Sequence, residues 1–397
     1  MSMRFLDQLD IRGKRLLIRV DYNVPLKNGV VQDDTRIKGS LETIRHALDK
    51  GAALVLCSHL GKAKGKPDPT LSLKPTARRL SEIIGREVKM APDCVGPEVE
   101  KMAKALKPGE VLMLENLRFH EGETKNDPQF SAALAKMGEI FVNDAFGTAH
   151  RAHASMVGVT KYFPQCCAGF LLKKEWEYIG QALGDPKRPY VAISGGAKVS
   201  SKLAVLHRLL SKVDALIIGG AMANTFLLAQ GHPVGKSLVE QDLVDEARKI
   251  MAEAEKRGVE LHLPVDVVLG KSIEDKQASG IAGVNAIPAE AMILDIGPKT
   301  RDLYAKAVSK AKTVMWNGPM GAFENPAFAE GSLAMAKAVA DLKGATTVVG
   351  GGDTDALVHK AKLADSFSFI STGGGSFLEF LEGKELPAFT ALQECGK

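Results

Sequence analysis

Short hydrophobic runs alternate with longer amphipathic stretches along the whole chain. This alternation is typical of strands and helices that build parallel β-sheets. The runs in the first half are RLLIRV (15–20), ALVLCS (53–58), VLMLEN (111–116) and EIFVND (139–144). Those in the second half are YVAIS (190–194), ALIIG (215–219), LHLPVDVVL (261–269), TVMWN (313–317), TTVVG (346–350) and FSFIS (367–371). The pattern predicts an α/β fold with two doubly wound parallel-sheet domains.

The length of the chain and one break in the pattern predict where the domains divide. A chain of 397 residues exceeds the usual size of a single hydrophobic core. The segment LLKKEWEYIGQAL (171–183) has a helical period, and the turn-rich sequence GDPKRP follows it. We predict a first domain at 1–170, a connecting hinge helix at 171–183 and a second domain at 184–383.

Composition and the lack of long apolar runs predict where in the cell the protein is located. The chain is 45% hydrophobic and 25% charged, as expected of a globular protein. No apolar run approaches the ~20 residues that span a bilayer, and the first residues lack the apolar segment of a secretory signal. A cytoplasmic location without membrane contact is therefore expected.

The cysteines are odd in number and form no CxxC pair, so we expect reduced thiols rather than disulfides or a zinc site. They are Cys57, Cys94, Cys166, Cys167 and Cys395.

Charge is distributed unevenly between the two halves. The net charge is +5, and residues 1–170 carry 26 basic and 20 acidic side chains, whereas the rest of the chain is close to neutral. There is no dense basic block and little aromatic interleaving, so a small anionic substrate is favoured over nucleic acid. An RNA- or heparin-binding protein remains the non-enzymatic alternative, and it would bind with a strong dependence on salt.

Polar side chains follow the predicted strands of the first half. Each alone is explained by helix capping or by a solvated surface. Together they bring arginines and imidazoles to one edge of a sheet, where guanidinium groups bind phosphate and carboxylate. This set predicts a site for a small polyanion. Its members are Asp21, Asn23, His59, Arg118, His120, Asp144, His150 and Arg151, with Arg36 in the following loop DDTRIK.

Glycines occupy the corresponding positions in the second half. Glycine after a strand lets backbone amides approach a ligand, and helix N-termini at such positions favour phosphate. Tight strand-to-helix turns are the alternative for any single pair, but the repetition favours a nucleotide site. The pairs and triplets are Gly195 and Gly196, Gly219 and Gly220, Gly318 and Gly321, Gly350 to Gly352, and Gly373 to Gly375.

Two lysines and one aspartate extend this nucleotide prediction. Lys198 and Lys202 are four residues apart, which would place them on one face of the helix that follows SGGAKV. A solvated helix face is the alternative. Asp353 follows three glycines, where it would contact a Mg²⁺ ion held by nucleotide phosphates, or cap the next helix, or both.

Two familiar nucleotide motifs are missing. The sequence has no GxGxxG, which argues against the enzymatic alternative, an NAD-dependent dehydrogenase. The segment GHPVGKS (231–237) resembles a P-loop but has three residues between its glycines rather than four. It follows no clear strand, so we interpret it as a chance similarity.

The motifs taken together resemble those of the phosphoglycerate kinase family. The stretch RLLIRVDYNVP (15–25) is similar to the family signature, and further family motifs follow in the same order and approximate spacing over the whole chain. These are SHLG, ENLRFH, DAFGTAHRAH, SGGAKV, WNGPMGAFE, GGGDT and STGGG. The resemblance implies transfer of a phosphoryl group between ATP and the carboxylate of 3-phosphoglycerate, with Mg²⁺ as cofactor. It also implies a monomer whose C-terminal tail, 384–397, returns to the first domain.

The resemblance assigns roles to individual residues. Arg36 and Lys198 are implied to be catalytic, because each would stabilise the phosphoryl group during transfer. The residues implied to bind 3-phosphoglycerate are Asp21, Asn23, Arg36, His59, Leu60, Gly61, Lys62, Arg118 and Arg151. Those implied to bind the nucleotide are Gly196, Lys198, Lys202, Gly219, Gly220, Asn317, Pro319, Glu324, Gly350, Gly351, Gly352, Asp353 and Thr354, with Asp353 also a ligand of the metal.

The chain departs from the usual family pattern at a few positions. Lys62 and Ala63 stand where Arg-Pro is usual, so a bidentate fork is replaced by a flexible point charge. Asp355, Ser376 and Phe377 replace residues that are usually small. None of these changes removes a residue that the resemblance assigns to the chemistry.

The implied reaction needs little acid–base chemistry. A carboxylate with a pKa near 4 is already ionised at neutral pH, so the attacking group needs no general base. Rate enhancement would come from in-line alignment and from positive charge placed on the moving phosphoryl group. Because the two predicted sites belong to different domains, we also predict a closing motion around residues 171–195.

Overall fold

The computed structural model describes residues 3–396, which form two compact units. One unit extends to Glu177 and resumes at Glu385, and the other is Tyr178–Lys384. Each contains a six-stranded parallel sheet with helices on both faces, so the predicted α/β class is confirmed. Among the described residues, no helix is both long and apolar enough to cross a membrane.

The first unit is built on a sheet with the strand order β5-β6-β4-β1-β7-β8. Its strands are β1 Arg15–Val20, β2 Leu26–Lys27, β3 Val30–Val31, β4 Ala53–Cys57, β5 Val88–Met90, β6 Val111–Met113, β7 Ile140–Asp144 and β8 Cys166–Ala168. Its helices are α1 Thr35–Gly39, α2 Leu41–Asp49, α3 Lys74–Ile84, α4 Pro97–Lys104, α5 Glu121–Thr124, α6 Pro128–Ala135, the first part of α7 Phe170–Gly184, and α15 Pro387–Glu394. The short strands β2 and β3 form a separate antiparallel hairpin.

The centre of this sheet is buried on both faces. Strand β1 pairs in parallel with β4 on one side and with β7 on the other. Residues 16–20 of β1 are all buried, and so is every residue of β4 and β7. The carboxyl ends of these three strands therefore reach the same edge of the sheet, and the polar residues that follow them meet there.

The second unit has a sheet with the strand order β11-β10-β9-β15-β16-β17 and a three-stranded antiparallel sheet, β13-β12-β14. Its strands are β9 Tyr190–Ser194, β10 Ala215–Ile218, β11 Glu260–His262, β12 Asp266–Gly270, β13 Gly280–Gly283, β14 Met292–Ile296, β15 Thr313–Asn317, β16 Thr346–Gly350 and β17 Phe369–Ser371. Its helices are α8 Leu203–Leu210, α9 Met222–Ala229, α10 Val244–Arg257, α11 Pro298–Val308, α12 Glu330–Ala340, α13 Gly352–Lys360 and α14 Gly375–Leu381.

The prediction of one strand at 261–269 is wrong. The segment forms β11, an edge strand of the parallel sheet, and β12, the central strand of the antiparallel sheet. Pro264 lies between the two strands and has no backbone N–H to donate to a sheet. An apolar run interrupted by proline therefore changes sheets here.

Helix α7 begins where a buried carboxylate caps it. Oδ1 of Asp144 accepts hydrogen bonds from the backbone N–H groups of Leu171, at 2.9 Å, and Leu172, at 3.2 Å. Burial raises the pKa of Asp144 to about 7, although these hydrogen bonds oppose the rise. The boundary between the two compact units falls inside this helix, after Glu177.

The expectation of five reduced cysteines is wrong. Cys166 in β8 and Cys395 after α15 form a disulfide across 229 positions of sequence, whereas Cys57, Cys94 and Cys167 are free and buried. The spacing of the cysteines gave no sign of this pair. It forms because α15 returns to the first unit and contacts β8.

Candidate active site

A hydrogen-bonded group at the ends of β1, β4 and β6 forms the first region of the site. Arg36 lies in the short helix α1 rather than in a loop, and its Nη1 is 3.1 Å from Oδ2 of Asp21 and 3.2 Å from the carbonyl oxygen of Asn23. Oδ1 of Asn23 accepts from the N–H of Gly61 at 2.9 Å. Arg118 donates to the carbonyl of the same Gly61 at 2.6 Å. These contacts hold two arginines of the predicted polyanion site in fixed orientations.

Arg118 has more positive charge around it than negative. Its pKa is lowered first by burial and then by Arg151 and Arg19, and only weaker effects of nearby carboxylates oppose this. Its Nε is buried and has no hydrogen-bond partner among the described residues. A buried donor without a partner next to like charges indicates a place where an anion binds.

His59 is neutral at this edge of the sheet. Its pKa lies well below the usual value, first because the ring is buried and then because Arg19, Arg118, Arg151 and Arg36 surround it. Nδ1 of His59 lies 3.2 Å from Nη2 of Arg19. Since a guanidinium group only donates, Nδ1 accepts and the hydrogen of the ring is on Nε2. His59 therefore offers a hydrogen-bond donor rather than a charge.

Arg19 was not predicted, although it lies within the first predicted strand. It is fully buried, and its Nε donates to Oγ of Ser155 at 2.8 Å. Glu123 in turn accepts from the Ser155 hydroxyl at 2.6 Å and from the Ser155 N–H at 2.9 Å. The sequence did contain a sign of this network, because Arg19 is a charged residue in an otherwise apolar strand. A buried arginine requires hydrogen-bond partners.

Two of the singled-out polar residues have other partners. Nε2 of His120 lies 2.7 Å from Oδ1 of Asp93, and this hydrogen bond raises the pKa of His120. Asp144 caps α7, as described above. Lys62 and Arg151 are exposed, and Nε of Arg151 is 3.2 Å from Nε2 of His150. The structure thus places Arg151 on the surface of the loop that follows β7.

The second region is formed by glycine loops at the carboxyl ends of β9, β10, β15 and β16. A Cβ atom on Gly195 would lie 2.1 Å from the carbonyl oxygen of Pro319, and one on Gly220 would lie 2.4 Å from the backbone nitrogen of Gly196. Gly220 also has a φ of +67°, which side chains rarely adopt. These glycines are required because the loops pack backbone against backbone.

Lys202 is buried beneath these loops. Its Nζ donates to the carbonyl oxygens of Gly195, at 2.6 Å, and Asn317, at 2.8 Å. Burial lowers its pKa to about 7, and Asp353 opposes this shift. The predicted helix face shared by Lys198 and Lys202 is wrong, because α8 begins only at Leu203 and Lys198 is exposed in the preceding turn. The two lysines therefore have different environments.

The N-terminus of α13 lies at the end of β16. Gly351 has a φ of +95°, and Asp353 lies in the first turn of the helix. Oγ1 of Thr354 accepts from the N–H of Gly318 at 2.7 Å, and Nδ2 of Asn317 donates to the carbonyl of Gly350 at 2.7 Å. These bonds join the loop after β15 to the loop after β16, and so fix the free N–H groups at the start of α13.

A cavity of about 320 Å³ opens beside these loops. Five of the residues predicted to bind the nucleotide line it, namely Gly196, Gly220, Pro319, Glu324 and Asp353. Much of the remaining wall is apolar and was not predicted, because it comes from segments without a glycine motif. This part includes Leu238, Pro264, Val267, Met292 and Leu294. An apolar wall next to a helix N-terminus suits a nucleoside base and its phosphates.

The residues at the cavity fit a magnesium ion. Asp353 offers a carboxylate at the N-terminus of α13, in the lining of the cavity. Mg²⁺ in nucleotide sites is usually bound by one or two carboxylates together with phosphate oxygens. Asp353 is therefore the kind of protein ligand that a nucleotide-bound Mg²⁺ ion would need.

Two parallel-sheet units, one with arginines and the other with glycine loops at its strand ends, are the arrangement expected of a two-domain kinase of the α/β class. Comparisons with known proteins identify which kinase. The chain belongs to the phosphoglycerate kinase family, whose sequence profile, described as "Phosphoglycerate kinase", matches residues 6–384. It is accordingly an ATP-dependent phosphotransferase of glycolysis.

Full-length relatives and solved structures carry the same name. The phosphoglycerate kinase of Maridesulfovibrio salexigens is 59% identical over 99% of this chain and 100% of its own length. That of Chloroherpeton thalassium is 53% identical over 100% of both chains. The structure of phosphoglycerate kinase from Coxiella burnetii covers 100% of both chains with a TM-score of 0.92 and 43% identity. The Pyrococcus horikoshii OT3 enzyme covers 98% of both with a TM-score of 0.84 and 34% identity.

Proposed function

We propose that 3-phosphoglycerate binds at the strand ends of the first unit and ATP in the glycine-lined cavity of the second. The observation that carries this proposal is the buried Nε of Arg118, which lies among further arginines and has no hydrogen-bond partner within residues 3–396. A compact ligand with a phosphate and a carboxylate would neutralise such a cluster. The phosphoryl group then passes directly between the two ligands.

The substrate residues divide by the kind of contact they offer. Arg36, Arg118 and Arg151 supply positive charge, with Lys62 at the exposed edge. Asp21 and Asn23 orient Arg36, and Asn23 also orients Gly61. His59 supplies a neutral N–H donor. Leu60 and Gly61 contribute backbone, and Leu60 is held by two hydrogen bonds with Asn116.

Catalysis depends on positive charge rather than on proton transfer. The substrate carboxylate is already ionised, so it attacks without a general base. Arg36 approaches the transferring phosphoryl group from the substrate side, and Lys198 from the nucleotide side. Arg36 is pre-oriented by Asp21, whereas Lys198 is exposed. These positive charges stabilise the negative phosphoryl group in the transition state, in which it lies between donor and acceptor.

The nucleotide residues surround the cavity and the start of α13. Gly350 to Gly352 and Thr354 form the loop and first turn where phosphates meet free backbone N–H groups, and Lys202 lies beneath the neighbouring loops. Gly196, Gly219, Gly220, Asn317, Pro319 and Glu324 complete this set. Asp353 would hold Mg²⁺, which neutralises phosphate charge when it is bound with ATP. Asp353 itself orients the metal-bound nucleotide from the cavity wall.

The proposed mechanism includes a conformational step in a monomer located in the cytoplasm. We propose that the segment around 171–195, which contains α7, acts as a hinge when both ligands bind, so that water is excluded from the transferring group. Small-angle scattering with both substrates should show a smaller radius of gyration than with either alone. An unchanged radius would refute the closing motion. Sedimentation of the purified chain tests the monomer.

The reaction is tested with purified protein, ATP, Mg²⁺ and 3-phosphoglycerate, coupled to glyceraldehyde-3-phosphate dehydrogenase. Acyl phosphate formation is then followed as loss of NADH. Arg36→Ala and Lys198→Ala should each lower kcat by about 10²- to 10³-fold, the usual effect of removing one transition-state donor. Arg45→Ala and Lys310→Ala remove exposed charges from helix α2 and the end of α11, and should leave kcat unchanged. Equal rates in all four variants would refute the assigned roles.

A further inference from the structure

The chain after Lys384 is fastened to the first unit at both ends of α15. At the N-terminal end, the N–H of Ala388 donates to the carbonyl of Ala149 at 3.2 Å. At the other end, Cys395 forms the disulfide with Cys166 of β8, and Arg4 donates to the Cys395 carbonyl at 3.4 Å. The disulfide is thus the covalent part of an otherwise non-covalent attachment.

Aromatic packing extends this attachment along the helix. The ring of Phe389 stacks on Phe146, with centroids 6.1 Å apart, and meets the edge of Trp176 at 4.9 Å. Phe146 precedes Ala149 in the loop after β7, and Arg151 is on the same loop. The position of α15 therefore bears on the loop that carries a substrate-binding arginine in the proposed site.

A cavity lies beside one of the two residues of the disulfide. It has a volume of about 870 Å³ and lies between the segment 157–164 and the returning chain. Cys395 is among its lining residues and has 9% of its surface exposed, whereas Cys166 is fully buried. A reductant entering this cavity would reach Cys395, whereas Cys166 does not form part of the lining.

We propose that the Cys166–Cys395 disulfide is a reversible redox-modification site for a dithiol reductant, and that its reduction loosens α15 and the substrate loop. The effect on substrate rests on the proposed role of Arg151, whereas the redox chemistry does not. A disulfide in a protein expected in the cytoplasm fits this role, because such bonds are usually transient and redox-sensing.

The chemistry is thiol–disulfide exchange. A thiolate of the reductant attacks Sγ of Cys395, the bond between the two protein sulfurs breaks, and the Cys166 thiolate leaves and takes up a proton. The second thiol of the reductant loses its proton and attacks the mixed disulfide. This step releases the Cys395 thiolate, which is protonated in turn. Two electrons and two protons pass to the protein, and the reductant leaves as its own disulfide.

The remaining cysteines are poor participants in this exchange. Cys57, Cys94 and Cys167 are all fully buried. Burial raises the pKa of the Cys57 thiol to about 12 and raises those of the other two as well. Since the thiolate is the reactive form, exchange is restricted to the pair beside the cavity.

Thiol counting tests the site itself. The full chain is treated with oxidised dithiothreitol, unfolded in guanidinium and alkylated, with and without prior reduction by dithiothreitol. Mass spectrometry should show three alkylated cysteines without reduction and five after it, from three free thiols and one disulfide. Five alkylated cysteines without reduction would overturn the proposal.

Hydrogen exchange and kinetics test the consequence of reduction. In the folded protein, dithiothreitol should increase backbone exchange in residues 387–394 and raise KM for 3-phosphoglycerate about fivefold, a modest coupling between sites, while KM for ATP stays unchanged. Cys395→Ser should show the reduced behaviour in both redox conditions. Cys167→Ser, which changes the cysteine next to the bonded Cys166, should still respond to dithiothreitol.

Reoxidation separates this proposal from a general loss of folding. Removal of dithiothreitol and addition of its oxidised form should restore slow exchange in α15 and the low KM. Unchanged exchange on reduction would refute the attachment role, whatever the kinetics show. If exchange responds but KM does not, the coupling to the substrate loop is refuted. Arg151→Ala measured alongside then shows whether the substrate assignment itself has failed.

Discussion

The burial of Lys202 leads us to predict that the protein takes up a proton when it binds nucleotide at alkaline pH. Its pKa is lowered to about 7 because the ammonium group is buried beneath the glycine loops. A neutral amine still has two N–H groups, enough for its bonds to the Gly195 and Asn317 carbonyls. Phosphates bound at these loops bring negative charge close to Nζ, and this favours the protonated form.

The size of the effect follows from the pKa. With a pKa of about 7, roughly 90% of Lys202 is neutral at pH 8 and roughly 10% at pH 6. If bound nucleotide protonates the side chain fully, binding takes up about 0.9 proton at pH 8 and about 0.1 at pH 6. The affinity for nucleotide should therefore weaken as the pH rises above 7.

Isothermal titration calorimetry measures this uptake directly. Titrations of ADP in buffers of different ionisation enthalpy give the number of protons as the slope of the observed enthalpy against that of the buffer. Lys202→Met should remove the slope at pH 8 after correction for the nucleotide's own ionisation. Lys198→Met, which removes an exposed lysine from the same segment, should keep it. A slope of zero in the wild type, or the same slope in Lys202→Met, would refute the reasoning.

The ionisation of Lys202 should also make the stability of the folded protein depend on pH. Because the pKa of Lys202 is lower in the folded state than its ordinary 10.5, stability from this group is present above pH 10.5 and is lost as pH falls toward 7. Urea unfolding between pH 7 and 10 should therefore give a smaller pH dependence for Lys202→Met than for the wild type. If Lys202→Met had the same pH dependence as the wild type, a group other than Lys202 would be responsible for it.

Three further predictions concern single positions. Arg36→Lys should lower kcat by at least about tenfold in the coupled assay, because lysine keeps the charge but loses the planar guanidinium group whose Nη1 contacts Asp21 and Asn23. A wild-type kcat would contradict this. Gly350→Ala should lower the free energy of unfolding in urea by about 1–3 kcal/mol, because the added Cβ would lie 2.3 Å from the Phe377 ring. Gly352→Ala is the control, because a Cβ at this position would have nothing within 4 Å. This control should fold normally but bind ADP more weakly. Lys62→Arg should lower KM for 3-phosphoglycerate by about twofold, as expected of an exposed charge, and a higher KM would show that position 62 does not face the substrate.

The sequence predicted the fold best where strands are long and buried on both faces. The runs at 15–20, 190–194, 313–317 and 346–350 match strands β1, β9, β15 and β16 residue for residue. Strands β5 and β8 were not predicted, because their sequences, VKM and CCA, lack the large apolar side chains in succession that marked the equally short strand β6, VLM. The antiparallel strands β13 and β14 were also missed, and β13 is largely exposed rather than apolar.

The candidate site was predictable where the relevant groups lie close in sequence to the ends of buried strands. Asp21, Arg36 and Arg118 follow or neighbour buried strands, and parallel pairing brings such positions to one edge of a sheet. The apolar wall of the nucleotide cavity was not predictable, because residues such as Leu238 and Met292 lie on segments far apart in sequence and look like ordinary hydrophobic residues. The environments of Lys198 and Lys202 also differed from expectation, since their helix begins later than periodicity suggested.

The discontinuity of the first unit has a consequence for biosynthesis. The second unit, Tyr178–Lys384, is one continuous stretch of chain, whereas the first includes residues on both sides of it. A ribosome makes residues 385–396 after all of the second unit, so the second unit is complete in sequence before the first unit receives α15. Until then Phe146 and Trp176 lack the ring of Phe389, and the nascent chain presents apolar surface to chaperones at this point. A chain that ended before residue 387 would contain the whole second unit but would lack α15 of the first unit.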